Sequence, residues 1–164
     1  VLFRSLRWGD FEGAEMPWSS FQKADLTGAN LSHTNLSASN LRDANLLDAV
    51  LQKANLKNAR LKGANLKHVD LQGADLTSAS LQDANLTGAD LQKAKLSSTS
   101  LSGANLSGAD LRGVDLCGAD LRGVKNITVK QLTQAIVDMR TRLPEGITFK
   151  QIEKYKADVI SESL

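Results

Sequence analysis

The chain of 164 residues is long enough for one domain, and its formal net charge of +2 argues against direct nucleic-acid binding. Only 4% of the residues are aromatic, and the hydrophobic 41% are mostly Leu and Ala, so a conventional globular core would be poorly filled. The single cysteine, Cys117, excludes an internal disulfide framework and favours a reducing compartment.

The first residues form an uncertain N-terminus. The chain begins with Val rather than Met, and residues 1–5 resemble the translated end of a common sequencing adapter. We therefore expect residues 1–8 to be uncertain or artefactual. No secretory signal and no run of 18 apolar residues is visible, which favours a cytoplasmic protein with no membrane segment. An incomplete N-terminus leaves room for a lost signal.

From residue 24 to 123 the sequence repeats every five residues. The central position of each unit, called i, is Leu at every fifth residue from Leu26 to Leu121, and position i−2 is Ala or another small residue. A helix would smear these Leu side chains around its surface, because five residues advance the helix by about 500°. If the chain instead bends after each short extended piece, positions i−2 and i always point inward. The Gly, Asp, Asn and Ser residues at i+2 suit such bends.

Four bends close a square, and such squares must stack. Burying one Leu is worth roughly 1.5–3 kcal/mol, whereas ordering the backbone costs about 1–2 kcal/mol per residue. One coil therefore cannot stand alone, and stacking at the strand spacing of about 4.8 Å is obligatory. Extending the frame backwards places Phe21, Met16 and Phe11 at i. The pattern predicts an all-β solenoid over residues 9–123.

Individual units carry a family resemblance. Residues 64–68 (Ala-Asn-Leu-Lys-His) and 109–113 (Ala-Asp-Leu-Arg-Gly) resemble the A(D/N)LXX motif of pentapeptide-repeat proteins, a family with bacterial members. The resemblance implies a right-handed quadrilateral parallel β-helix, here of about five to six coils. It also implies a non-catalytic scaffold for protein–protein interaction, without a cofactor, and a possible homodimer through the C-terminal end. Some members instead mimic DNA, bind a type II topoisomerase (gyrase) and protect it from quinolone-type poisons, which is the alternative function.

Charge discriminates between these two functions. A DNA mimic must present a strongly negative surface to a basic DNA-binding saddle. The repeats are nearly neutral, and five basic side chains lie in their middle: Arg42, Lys57, Arg60, Lys62 and Lys67. The sequence therefore favours the scaffold, whose protein partner it does not identify.

The exterior also carries two expected columns. Taking every fourth unit places on one face an asparagine ladder made of Asn45, Asn65, Asn85 and Asn105. A second face carries an acidic column made of Asp70, Asp90 and Asp110. Like charges about 4.8 Å apart repel each other, so this column is either an ordinary solvated face or a functional one.

Candidate protein-binding residues are the large apolar side chains at outward positions, namely Trp8, Trp18, Leu47 and Val50. The two Trp residues either cover the open first coil or contact a partner or a missing upstream segment. Leu47 and Val50 are the large apolar residues at outward positions inside the repeats, and we expect them to form a small interaction patch.

Residues for chemistry are sparse. His33 and His68 fall on different faces without a Cys or carboxylate cluster, which argues against a metal site. The serines lack His and Asp partners for nucleophilic catalysis, and no glycine loop opens a helix. We therefore expect no catalytic, cofactor or metal site and no enzyme activity. Cys117 at i+1 is expected to expose its thiol.

The last residues, 124–164, are predicted to form a helical cap. Two capping boxes, Thr128–Gln131 and Thr148–Gln151, open helices expected at about 129–141 and 149–161. The inward side chains would be Leu132, Ile136 and Met139 in the first helix and Ile152, Tyr155 and Val159 in the second. The first helix would cover the last coil, and the second would complete the cap or pair with another copy.

Overall fold

The computed structural model describes residues 5–162, with side chains as far as residue 158. Residues 1–4 of the uncertain N-terminus, and the side chain of Val159, lie outside the described residues. From Ser5 to Asn105, each residue at position i−1 forms a parallel bridge to the residue twenty positions further along, as Ser5 does with Asp25. Four pentapeptides therefore complete one coil, as the sequence predicts.

We number the four sides of the coil by their bridging residues. Face 1 carries Ser5, Asp25, Asn45, Asn65, Asn85, Asn105 and Lys125. Face 2 carries Asp10, Asn30, Val50, Asp70, Asp90 and Asp110. Face 3 carries Glu15, Asn35, Asn55, Asp75, Lys95, Asp115 and Ile136. Face 4 carries Ser20, Asn40, Arg60, Ser80, Ser100, Asp120 and Arg142.

The coil extends past both of its predicted ends. Bridges begin at Ser5 rather than at residue 9, and they continue beyond residue 123 to Ile136 and Arg142. The stack is therefore higher than the expected five to six coils. Each added rung is bonded through its backbone as the others are, for example Leu6 N–H to Asp25 O at 2.7 Å and Leu121 N–H to Arg142 O at 2.8 Å.

The interior is a narrow column of Leu and small side chains. Every Leu at position i from Leu26 to Leu121 is at most 1% exposed, and the Ala residues at i−2 are buried beside them. In the first coil Leu6, Phe11, Met16 and Phe21 take the same position but stay partly exposed. Side chains fill the tube, so the outer positions are the ones left free for recognition.

The preference for Asp or Asn at i−1 has a hydrogen-bonding cause. In the unit of residues 64–68, four of the five backbone N–H groups donate to backbone carbonyls, most of them in the neighbouring coils. The fifth, the N–H of Lys67, donates instead to Asn65 Oδ1 at 3.3 Å. Because a buried or half-buried N–H needs an acceptor, an Asp or Asn side chain at i−1 completes the backbone pairing of the units that carry one.

The bends require a left-handed backbone. Position i+2 has a positive φ, between 54° and 74°, in every unit from residue 8 to residue 123. Gly accepts this conformation without strain, but Trp8, Trp18 and Ala38 adopt it as well. The turn closes with a bond from the next Ala N–H to the Leu carbonyl, as in Ala29 to Leu26 at 3.0 Å.

The first C-terminal helix is shorter than predicted. Helix α1 spans Val129–Gln134, and its capping box between Thr128 and Gln131 is present. Its Leu132 is fully buried, as expected, and the side-chain amide of Gln131 donates to the carbonyl oxygens of Leu106 and Ala109. Helix α1 thus takes the place of a face-2 rung above the last regular coil.

Residues predicted to continue that helix return to the coil instead. Ile136 is 56% exposed and Met139 is 85% exposed, so their predicted inward orientation is wrong. The reason is that Ala135 and Val137 resume the alternation of an inward small residue and an inward large one. Ile136 then occupies position i−1, where it bridges to Asp115 on face 3.

Helix α2 spans Phe149–Glu162. Ile152 is buried as predicted, whereas Tyr155 remains 36% exposed and is not part of the core. A recess of about 190 Å³ lies between α2 and the last coil, with Met139 and Phe149 among its lining residues. Neither helix, over the residues described, is both long and apolar enough to cross a membrane.

Candidate functional site

Trp8 lies at the corner between faces 1 and 2 of the first coil, and the residue is 69% exposed. The ring leans towards the second coil, because a Cβ atom added to Gly28 would lie 2.1 Å from it. It therefore does not fold back over the open end of the first coil, where Phe11 and Phe21 remain partly exposed. Gly28 is the residue that makes room for the ring at this corner.

Leu47 and Val50 flank the same corner in the third coil, and both are half-buried. The corner between them carries Asp48, whose Oδ1 lies 3.4 Å from His68 Nδ1 in the next coil. Two coil steps of about 4.8 Å separate Trp8 from this pair, or roughly 10 Å. We call this strip, made of Trp8, Gly28, Leu47 and Val50, the apolar edge.

Trp18 is not part of the apolar edge. It lies at the diagonally opposite corner of the first coil, between faces 3 and 4, and is 81% exposed. Three of the four candidate residues, Trp8, Leu47 and Val50, thus lie on one edge, and the fourth is on the far side of the tube. The sequence alone indicates this grouping once four units per coil are assumed, since residues 8 and 48 then share a corner.

The basic side chains of the middle are spread over three faces. Lys57 on face 3 is paired with Asp75, Nζ to Oδ2 at 3.4 Å, and Lys67 lies on face 1. The other three lie together on face 4, where a recess of about 280 Å³ is lined by Arg42, Arg60, Lys62, Ser80 and Gln82. The sequence indicates these cations but not that they share one recess.

The carboxylates of the acidic column on face 2 accept hydrogen bonds from neighbouring side chains. Gln52 Nε2 donates to Asp70 Oδ2 at 2.6 Å, and Gln72 repeats this contact with Asp90 at 2.9 Å. In the last rung, Arg112 clamps Asp110, and its hydrogen bond is the main cause that lowers the pKa of that carboxyl. Asp110 is thus ion-paired with Arg112, whereas Asp70 and Asp90 are hydrogen-bonded by the uncharged amides of Gln52 and Gln72.

Cys117 is half-buried, so the expectation of an exposed thiol is wrong. A hydrogen bond with the Asp115 carboxylate, assisted by burial, raises the pKa of the thiol to about 11. The thiol therefore keeps its proton at neutral pH and is a poor nucleophile. Within residues 5–162 no group of three or more His, Cys, Asp or Glu side chains is placed to hold a metal ion.

The family model for pentapeptide repeats matches the chain in 8 copies, in segments that run from residue 5 to residue 123. The chain is a pentapeptide repeat protein. Its match spans the regular coils, and α1, the last irregular rungs and α2 lie beyond it. No curated protein matches this pentapeptide repeat protein.

The chain is also similar to several solved structures. The pentapeptide repeat protein Rfr23 from the cyanobacterium Cyanothece 51142 is 28% identical with a TM-score of 0.56, over 85% of this chain and 90% of that one. A pentapeptide repeat protein from the Arabidopsis thaliana thylakoid lumen is 33% identical with a TM-score of 0.48, over 54% and 66% of the two chains. The plasmid-mediated fluoroquinolone resistance protein QnrB1 is 20% identical with a TM-score of 0.28, over 97% and 96%.

Proposed function

We propose that this pentapeptide repeat protein is a non-catalytic scaffold that binds another protein along the apolar edge. The observation that carries the proposal is the position of Trp8, an exposed aromatic ring that extends along the edge towards Leu47 and Val50. Trp is enriched among the residues that dominate protein–protein binding energy. The edge thus joins one large aromatic anchor to two smaller apolar side chains in the middle of the repeats.

The backbone at Trp8 has a left-handed φ of 57°, and Gly takes the equivalent position in many later units. Trp18, Lys23 and His33 adopt the same conformation, so the backbone alone does not distinguish Trp8. What distinguishes Trp8 is an exposed aromatic ring on the same edge of the coil as Leu47 and Val50.

Other parts of the proposal follow from the family. The coil is right-handed, the chain has no cofactor and no enzyme activity, and a homodimer forms through the C-terminal end, where Met139 and α2 leave apolar surface exposed. A cytoplasmic location agrees with the lone, unreactive Cys117. Gyrase binding is less well supported, because a strongly negative surface is missing and face 4 carries three cations in one recess.

The experiment uses the freedom of Gly at left-handed positions. Trp8→Gly removes the anchor without new backbone strain, and Trp18→Gly is its matched control in the same coil at φ 61°. The wild-type chain and both variants are immobilised and used to capture proteins from a bacterial lysate. Binding of the purified captured protein is then measured by calorimetry.

We expect Trp8→Gly and Leu47→Asp each to weaken the affinity at least tenfold, since a central interface residue contributes about 2 kcal/mol or more. Trp18→Gly should leave the affinity unchanged. If Trp18→Gly removes binding and Trp8→Gly does not, the partner lies on the opposite edge and the assignment is wrong. Capture that is equal for all variants refutes the proposal.

A further inference from the structure

Face 4 breaks the pattern of the repeats in its middle. In three successive coils the residue at i−1 is not Asp or Asn: Arg60, Ser80 and Ser100 stand there instead. The backbone N–H groups two residues later therefore have no side-chain acceptor of the usual kind. Among the residues that the structure describes, the N–H groups of Lys62, Gln82 and Ser102 donate no hydrogen bond to the protein.

These three N–H groups face outward. Above and below them on the same face the pattern is intact: the N–H of Arg42 donates to Asn40 Oδ1 at 3.3 Å, and that of Arg122 donates to Asp120 Oδ1 at 3.2 Å. Those acceptors belong to side chains on the outer surface. Because the coil repeats its backbone geometry at each step, the unpaired N–H groups are directed to the same outer side.

The side chains around the first of these N–H groups are cationic. Arg42, Arg60 and Lys62 line one recess of about 280 Å³. The Nε atom of Arg42 is buried without a hydrogen-bond partner. Arg60 has no salt bridge within the described part of the chain, and Lys62 makes only a long contact with Asp83, at 3.9 Å and largely exposed to solvent.

Ser80 and Gln82 also line the recess, with a hydroxyl and an amide group. The hydroxyl of Ser80 contacts the side-chain oxygen of Gln82, and Gln82 Nε2 donates to Ser100 Oγ at 2.8 Å. The side chains of Ser80, Gln82 and Ser100 are thus linked by hydrogen bonds along face 4. The recess thus combines cations, an orphaned guanidinium nitrogen and unpaired backbone N–H groups, and no carboxylate lines it.

We propose that this recess is a binding site for a phosphate group, held by the guanidinium groups of Arg42 and Arg60 and by the backbone N–H of Lys62. Arg binds phosphate oxygens through paired, charge-assisted hydrogen bonds. Outward backbone N–H groups in a turn form anion-binding concavities. A tetrahedral dianion offers enough oxygens for all of these donors, whereas a single carboxylate offers two. The site is on the far side of the tube from the apolar edge and does not depend on the proposed scaffold function.

The test is a titration of the full, ¹⁵N-labelled chain with inorganic phosphate, at an ionic strength held constant with chloride. We expect a saturable downfield shift of the Lys62 amide proton, because a charged acceptor replaces solvent there. Phenyl phosphate forms the second arm. Tighter binding of phenyl phosphate than of inorganic phosphate indicates a phosphate carried on an organic ligand, and weaker binding indicates the free ion.

Arg60→Asn separates binding from folding. Asn at this position restores the repeat pattern, gives the Lys62 N–H an internal acceptor and removes one cation, so the fold is retained. We expect the Kd for phosphate to rise at least tenfold, as for the loss of a charge-assisted hydrogen bond. Lys95→Asn is the matched control, because it makes the same pattern restoration and the same charge change on face 3.

The control should change the Kd by less than about twofold, since it lies outside the recess. If Arg60→Asn and Lys95→Asn raise the Kd for phosphate equally, phosphate binding depends only on the net charge of the protein, and the proposed site is wrong. A Lys62 amide that does not shift at saturating phosphate, or a Kd unchanged in Arg60→Asn, would overturn it as well.

Discussion

The side-chain amide of Asn65 donates to Asn45 Oδ1 at 2.7 Å, across one step of the coil, while its own Oδ1 accepts the N–H of Lys67 at 3.3 Å. One residue thus satisfies its own unit and ties it to the preceding coil. Asp and Asn both occur at this position because both cap the backbone, but only Asn has an N–H group to donate to the neighbouring coil.

Asn65→Ala should therefore lower the free energy of unfolding by about 1–2 kcal/mol, because two hydrogen bonds of the half-buried side chain are lost. Urea denaturation followed by far-ultraviolet circular dichroism measures this loss. The control is Lys95→Ala, at the same position of another unit, where the N–H two residues later has no side-chain cap. A loss in Lys95→Ala as large as in Asn65→Ala would contradict the capping role.

Two Ala→Gly substitutions should have opposite effects. At Ala38 φ is 54°, so Gly relieves backbone strain, and we expect stability to be unchanged or higher by up to about 1 kcal/mol. Ala44 is buried in the core, so Gly there removes a packed methyl group and adds unfolded-state entropy, for a loss of about 1–2 kcal/mol. Urea midpoints of the two variants that move together in the same direction would refute the strain at i+2.

Leu132→Ala tests whether α1 covers the core. Because Leu132 is fully buried over the last coil, its truncation should lower the free energy of unfolding by about 2–5 kcal/mol. Met139→Ala, in the segment that leaves the helix, should change it by less than about 0.5 kcal/mol. Thermal and urea unfolding give both values. A larger loss of unfolding free energy at Met139 than at Leu132 would instead support the longer helix predicted from the sequence.

Asp120 should make stability depend on pH in acid. The hydrogen bond from Arg122 is the main cause that lowers the pKa of this carboxyl to about 2 in the folded protein, below the value of about 4 expected when unfolded. Its contribution is therefore fully present above pH 4 and is lost as the pH falls towards 2. Urea midpoints should thus fall less over this range in Asp120→Asn than in the wild type. An identical pH profile in both proteins would contradict this assignment.

The chain should not inhibit gyrase. DNA supercoiling measured with micromolar protein should proceed as in its absence, because the cationic recess on face 4 would oppose a basic DNA-binding surface. A second variant strengthens the test: replacing Arg42, Arg60 and Lys62 by Gln removes the three cations but adds no negative surface, so this variant should not inhibit gyrase either. Inhibition by the wild-type chain at that concentration would favour the DNA-mimic function instead.

The interior could be predicted almost completely from the sequence. Leu at i and a small residue at i−2 leave one arrangement that hides both, and the buried Leu residues follow it from Leu26 to Leu121. The asparagine ladder was predicted less well. Asn65 bonds to Asn45, but Asn105 donates to the hydroxyl of Thr87 at 3.0 Å, because a Thr in the preceding coil offers a closer acceptor.

The ends and the exterior were harder to predict. The inward small residues Ala135 and Thr141 are six positions apart rather than five, because the unit around Arg140 has one extra residue. The five-residue period is therefore not visible in this segment, and the apolar spacing alone predicts one long helix. Nothing in the spacing of Arg60 indicates an unpaired N–H at Lys62, since the cause is the absence of an Asp or Asn acceptor rather than the presence of a motif. Such a feature becomes visible only when each donor of the backbone is followed to its acceptor.

Because one coil takes twenty residues, the side chains inside the coil and the arrangement of side chains on its faces can change independently. Deleting any one unit would keep every Leu inside, yet it would turn all later side chains by a quarter of a revolution. Removal of residues 44–48, for instance, would carry Arg60 and Lys62 away from Arg42 to the neighbouring side. Loss of a full circuit would only shorten the rod. Evolution can thus reshuffle the outside of such a molecule by gaining or losing five residues, with no need to repack its centre.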